Sequence, residues 1–190
     1  MNKTLICVLG CLMCGGNAFA QIKLSPIFSD NMVLQQQTQA PIWGESKPNK
    51  EIVITTSWDQ KKYTVQADAR GKWNTKVTTP AAGGPYDIII SDGKKVKLSN
   101  VLIGEVWVCS GQSNMELPDS RVTDMFRDEI SAYENTNIRQ LKVPNIFNFH
   151  APQTDLPDYV AWKPLTQENV MNFSALGYFF AKAMYEKNNI

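Results

Sequence analysis

Residues 22–100 constrain the fold more than any other stretch. They read as short strand candidates at roughly ten-residue spacing, with no helical period among them. The candidates are 32–34, 40–43, 51–56, 62–67, 73–77, 86–90 and 95–98. Breakers separate them at 46–49, 58–60, 68–71, 80–85 and 92–93. Ser91, Asp92 and Gly93 form a hairpin signal. This pattern predicts an all-β sandwich. Trp43, Trp58 and Trp73 offer either an aromatic face for sugar or core packing. The second is preferred, because Trp43 and Trp73 fall inside strand candidates.

A second regime begins at Val101. Residues 105–109 are rich in β-branched and aromatic types and predict a buried strand. Ser110, Gly111, Gln112, Ser113 and Asn114 follow as a tight polar turn. A buried strand running into such a turn delivers side chains to the carboxyl edge of a sheet, where open α/β sheets place ligands. Gly111 permits either a special backbone geometry or a close approach that a Cβ would block. Ser113 sits just past the turn, exposed as a nucleophile requires. The bland alternative is a turn serine. Met115 stands where the Gly-x-Ser-x-Gly elbow has its second glycine.

Further along, Ser120 is placed to cap a helix over 121–133, with Val122, Phe126, Ile130 and Tyr133 on one face. A strand follows at 138–143, then an irregular stretch at 144–164. Asn172 is placed to cap a helix over 173–187, which Asn188 and Asn189 end. Strand, helix, strand, helix predicts the start of a parallel α/β sheet. Two strands cannot cover both helices, so the expectation is a truncated domain. Asp119 reads as a surface residue near a helix start rather than a triad acid, and Glu116 as a cap. Ser110 and Ser120 read as turn and cap.

The 190 residues carry a formal net charge of +1. Near-neutrality gives no electrostatic footprint for nucleic acid or an anionic membrane. Lys3, the apolar run 5–13 and the Ala18-Phe19-Ala20 cleavage pattern predict a signal peptide over 1–20. That run is too short to span a bilayer. Export to the periplasm or medium is therefore expected, with lipidation at Cys11 ranked second. Cys7, Cys11 and Cys14 lie in this peptide. The mature chain then keeps Cys109 alone, expected to be a small core residue without a disulfide.

The run VWVCSGQSNMELP at 106–118 resembles the nucleophile block of the sialate O-acetylesterase family, carbohydrate esterases of the SGNH (GDSL-like) hydrolase superfamily. The likeness continues in LSPIFSDNMVLQQ, PIWGES, GKWNTKV, AGGPYDIII, IRQLKV and NFSALGYFFAKAM. The resemblance implies a β-sandwich over 21–100, followed over 101–190 by the first part of an SGNH-type α/β esterase domain with a flavodoxin-like parallel sheet. It implies Ser113 as nucleophile, attacking the carbonyl carbon of a sugar O-acetyl group, with its own backbone N–H as an oxyanion donor. Asn114 is the candidate for substrate binding. No metal or cofactor is implied.

The family's Trp-Gly-Gly and Gln-Gly-Glu blocks and its late Asp-x-x-His or Asp-x-His pair do not occur in this sequence. An amino-terminal portion with little or no activity of its own is the expectation, with the rest of the esterase domain as a partner. The one histidine, His150, has no Asp two or three residues before it and reads as a loop or subsite residue. The expected substrate is an O-acetylated sugar, sialic acid or hemicellulose. The alternative function is a non-catalytic carbohydrate-binding or structural β module.

Overall fold

The computed structural model describes residues 22–190. Residues 1–20, the expected signal peptide with Cys7, Cys11 and Cys14, lie outside the described residues. The first half of the described chain forms two sheets. One has three antiparallel strands in the order β1 (Lys23–Leu24), β3 (Gln39–Glu45), β6 (Lys72–Thr78). The other has five, in the order β2 (Val33–Gln35), β8 (Lys95–Gly104), β7 (Gly83–Ser91), β4 (Glu51–Thr56), β5 (Lys62–Gln66). All its neighbours are antiparallel except β2 and β8, which run parallel.

Side-chain alternation explains the layering. Along β3, Ala40, Ile42 and Gly44 are buried while Gln39, Pro41, Trp43 and Glu45 are exposed. Ile52 and Ile54 of β4, with Ile88 and Ile90 of β7, are fully buried against Ile42, Trp73 and Val77 of the facing sheet. Each such aliphatic chain contributes roughly 1.5–3 kcal/mol relative to exposure. Trp73 belongs to this core, whereas Trp43 lies on the outer face, edge-on to Phe28 at 4.5 Å. The tryptophans therefore do not share one face. The hairpin at 91–95 closes β7 onto β8, with Gly93 at φ 108°. That left-handed conformation disfavours a side chain.

The second half is built differently. A one-turn helix α1 (Ser113–Glu116), a 3₁₀ turn at Asp119–Arg121 and α2 (Thr123–Ala132) lead into β9 (Asn135–Gln140). After a long irregular segment come β10 (Lys163–Leu165), a 3₁₀ turn at Val170–Asn172 and α3 (Ala175–Asn188). Ile130, Ile138, Leu165, Val170, Phe173 and Tyr178 make a separate small core. Lys182 ties α3 to α2 through Glu129 at 2.8 Å.

Several expectations are corrected here. Residues 105–109 are not a buried strand. They are exposed and unpaired, with Val108 91% and Trp107 57% accessible. The reason lies in the ladder. Beyond Gly104, whose carbonyl accepts from Gln36 N, the Val106 amide goes to the Gln35 side chain. Gln35 and Gln36 also donate to the Glu105 carboxylate, at 3.0 and 2.7 Å, and hold its pKa below the usual range. No described strand lies beside 107–111. Cys109 is exposed and free, not a core residue.

The sheet in this half is antiparallel, β9 against β10, rather than the start of a parallel one. Strand β8 runs from Lys95 to Gly104. Neither helix takes the cap expected of it. Val122, not Ser120, precedes α2, because 119–121 turn as a 3₁₀ segment. Ser174, not Asn172, caps α3, because Phe173 is drawn into the small core.

Few side chains join the halves. The guanidinium of Arg139 on β9 bonds both the carbonyl and, at 3.0 Å, the side-chain oxygen of Asn100, and reaches Met32 O. Burial lowers its pKa to about 10. Ser25 Oγ donates to Asp155 at 2.6 Å, and Trp162 Nε1 to Ile27 O at 2.8 Å.

Candidate active site

Ser113 is the first residue of α1. The carbonyl of Gln112 accepts from the amides of Met115 and Glu116 at 3.0 and 3.2 Å, and Ser113 O accepts from Leu117 N at 2.9 Å. The turn is closed by backbone, so Glu116 is exposed and caps nothing among the described residues. Gly111 serves as a close approach. A Cβ there would come 3.1 Å from Met115 Cβ, tighter than ordinary packing. The amides of Ser113 and Asn114 meet no backbone acceptor among the described residues, as expected for the first N–H groups of a helix. Ser113 is exposed, and no described side chain hydrogen-bonds its hydroxyl.

The segment that follows is fixed firmly. Ser174 Oγ donates to Met115 O at 2.5 Å and accepts from Gly177 N at 3.1 Å. Ala175 N donates to Leu117 O at 2.8 Å, Asp119 N to Phe173 O at 2.9 Å, and Ser174 N to Gln140 Oε1 at 2.9 Å. Pro118 and Ser174 form an isolated bridge. The exit of the serine turn is thereby bound to the entry of α3.

Asp119 departs from its expected place at the surface. It is fully buried, and neither carboxylate oxygen has a partner among the described residues. Burial pushes its pKa up to about 7, because the charged form loses hydration without compensation. The nearby Tyr178 hydroxyl donates to Glu129 O at 3.3 Å. Its own pKa rises to about 12, through burial first and then the Asp119 charge. Nothing in the sequence marks Asp119 as buried. Its partner segment, 173–175, lies more than fifty positions away.

Beside the turn lies an open cavity of about 350 Å³, lined by Asn114, Leu117, Val122, Phe126, Ala175, Leu176 and Phe179. Asn114 is its one polar side chain, one residue after Ser113. Phe126, at a non-helical position inside α2, meets Phe179 edge-on at 5.0 Å. This apolar wall is the part of the site that the sequence reading missed. The 3.6-residue spacing on α2 put Val122 and Phe126 on one face with Ile130 and Tyr133, but nothing in that spacing marked a groove against α3.

His150 is not brought to Ser113 by any described hydrogen bond. It is exposed, and its amide donates to Asn148 Oδ1 at 3.0 Å. Among the described residues no group of three His, Cys, Asp or Glu side chains is placed to hold a metal ion. No described helix is long and apolar enough to cross a membrane.

No protein-family model matches the chain. Sialate O-acetylesterase from Homo sapiens is 26% identical over 183 residues, covering 86% of this chain and 34% of the human protein. Sialate O-acetylesterase from Mus musculus is 26% identical over 178 residues, covering 84% and 32%. A crystal structure described as a novel carbohydrate acetylesterase from Xanthomonas citri superposes with a TM-score of 0.82 at 36% identity. It covers 90% of this chain and 38% of that one.

These relatives are described as sialate O-acetylesterases and as a carbohydrate acetylesterase. Over most of its own length the chain is similar to the sialate O-acetylesterases. It spans about a third of the length of the curated relatives it matches.

Proposed function

We propose that the chain acts in the removal of O-acetyl groups from carbohydrate, with Ser113 as nucleophile. The observation that carries this is the open serine turn. An exposed hydroxyl and two free amides stand at the start of α1, beside an apolar wall suited to an acetyl methyl group. Ser113 Oγ attacks the ester carbonyl and passes its proton to a base. The amides of Ser113 and Asn114 face the oxyanion that forms. The sugar oxygen leaves with a proton, and water then releases acetate from the acetyl-serine.

The base is the weak point of the chain taken alone. His150 is its one histidine and lies on the 141–162 segment. The part of the relatives' length that this sequence does not span is the other source of an imidazole. Architecture is part of the reading. The two-sheet unit is taken as a β-sandwich and the segment after Gly104 as the beginning of an α/β esterase domain. The division near residues 100–104, export after cleavage at Ala20, and substrates such as acetylated sialic acid or hemicellulose belong to the same proposal.

The test is acetate release from an aryl acetate, an O-acetylated sialic acid and acetylated xylan, together with labelling by an aryl fluorophosphonate. Turnover or label that disappears in Ser113→Ala supports the reading. Turnover retained by Ser113→Ala overturns it. Absence of both turnover and label leaves the non-catalytic carbohydrate-binding module as the better account.

A further inference from the structure

The cavity beside the serine turn is far larger than an acetyl group needs. Its volume is about 350 Å³. A methyl group is about the size of a water molecule, whose share of the liquid is about 30 Å³, so an acetyl methyl leaves most of that space unfilled.

The helix ties this space to the nucleophile. Leu117 N donates to Ser113 O at 2.9 Å, so the two residues stand one turn apart on the same face. Side chains on a helix lean toward its N-terminus, which directs Leu117 toward Ser113. Leu117 lines the cavity, and Asn114 borders it from the position next to Ser113. One turn is about 5.4 Å along the axis, whereas a methyl carbon stands about 1.5 Å from its carbonyl carbon. An ester held at Ser113 needs further carbons to reach this wall.

The rest of the lining is fixed and apolar. Phe126 meets Phe179 edge-on at 5.0 Å, and Phe179 meets Tyr178 at 4.9 Å. Ala175, buried and bound through its amide to Leu117 O at 2.8 Å, supplies the smallest side chain and leaves the space open. Asn114 is the one polar side chain that the hydroxyls of a sugar would find there. The sugar side of an ester is therefore poorly served by this cavity. An unbranched acyl chain has no hydroxyls to satisfy, and it gains about fourfold in binding for each methylene it buries.

We propose that this cavity holds the acyl part of the ester, and that the protein accepts straight acyl groups longer than acetyl, of the butanoyl to hexanoyl class. The inference rests on Ser113 as nucleophile and extends the acyl side of that reading. Ser113 Oγ bonds to the acyl carbon as the bond from that carbon to the alcohol oxygen breaks, and the alcohol leaves with the proton. The acyl group stays in the cavity until water releases it as the carboxylic acid.

Two measurements test it. In the first, kcat/KM of the full chain is compared on an aryl acetate, butyrate and hexanoate. A rise of about tenfold from acetate to butyrate is expected. Leu176 lines the cavity and is 51% exposed, so Leu176→Trp fills the space from the solvent side and should keep its circular dichroism. The butyrate-to-acetate ratio should fall about threefold or more in that variant. The second measurement needs no turnover. Methyl resonances are followed during titration with acetone and with methyl butyl ketone, unreactive carbonyl compounds that differ in chain length. The longer ketone should shift the methyls of Leu117, Val122 and Leu176 at about tenfold lower concentration than acetone, and should leave Ile54 and Leu98 of the β-rich core unmoved. Acetate preferred over both longer esters overturns the acyl pocket and leaves the esterase reading standing. Cavity methyls that do not shift, or shift equally with both ketones, overturn it as well. Shifts that depend on chain length, without Ser113-dependent turnover or fluorophosphonate labelling, remove the esterase reading and keep the cavity as the holder of the chain.

Discussion

The two halves of the molecule use apolar residues in opposite ways. In the β-rich half, residues 22–104, Ile42, Ile52, Ile54, Ile88 and Ile90 are fully buried between two sheets. In the half that follows, Trp107, Val108, Phe147, Phe149, Leu176 and Phe180 are exposed, and the packed core is only six residues. Trp107 and Phe180 meet edge-on at 5.3 Å, yet both remain accessible. The first half spends its apolar surface on its own stability. The second keeps much of it available for contact. The proposed chemistry sits in the second half, as expected where binding surfaces must stay open.

The largest expected effect lies in the first core. Ile54→Ala should cost about 3–4 kcal/mol, because a fully buried isoleucine leaves a cavity between two sheets that cannot collapse. Urea unfolding followed by tryptophan fluorescence measures it. A loss below about 1 kcal/mol would mean that the two halves are packed alike.

The next effect is in the pH dependence of the second half. Asp119 has its folded pKa raised from 3.8 to about 7. The folded state therefore keeps a proton that the unfolded chain releases. Its stabilising effect is complete below about pH 4, declines as pH rises toward 7, and is flat above. The decline should amount to a few kcal/mol. Asp119→Asn should remove that slope. Hydrogen exchange of α3 amides at pH 4.5 and 7.5 checks it, and an unchanged slope in the variant would place the pH response elsewhere.

A smaller effect is expected at the join. Arg139→Met removes charged donors from Asn100 and Met32 carbonyls at a loss of about 2 kcal/mol. Exchange should quicken in β9 and β10 more than in β4 or β7. The smallest is Trp107→Ala, expected to change stability by less than about 0.5–1 kcal/mol because its ring is mostly in solvent. A cost comparable to Ile54→Ala would break the contrast between the halves.

The contrast also decides what was legible in the sequence. All seven strand candidates of the first half appear, because period-two alternation such as that of Gln39–Glu45 is a local signal that burial then obeys. The hairpin at 91–95 was equally local. Residues 105–109 carry the same composition, yet composition cannot supply a neighbouring strand, and ladder bonds are what make a strand. The antiparallel β9–β10 pair rests on residues 163–165, which include Pro164 and are too short to stand out. Ser113 was legible as an exposed turn serine, whereas the groove beside it needed the packing of α2 against α3.

Ser174 has one more consequence. Its single oxygen both caps α3 and grips the carbonyl of Met115, two residues after Ser113. The long helix is therefore a lever whose short end is the serine turn. A tilt imposed on the exposed side of α3, at Leu176 or Phe180, would be delivered to the serine turn. The stiffness of that one joint sets how faithfully it arrives.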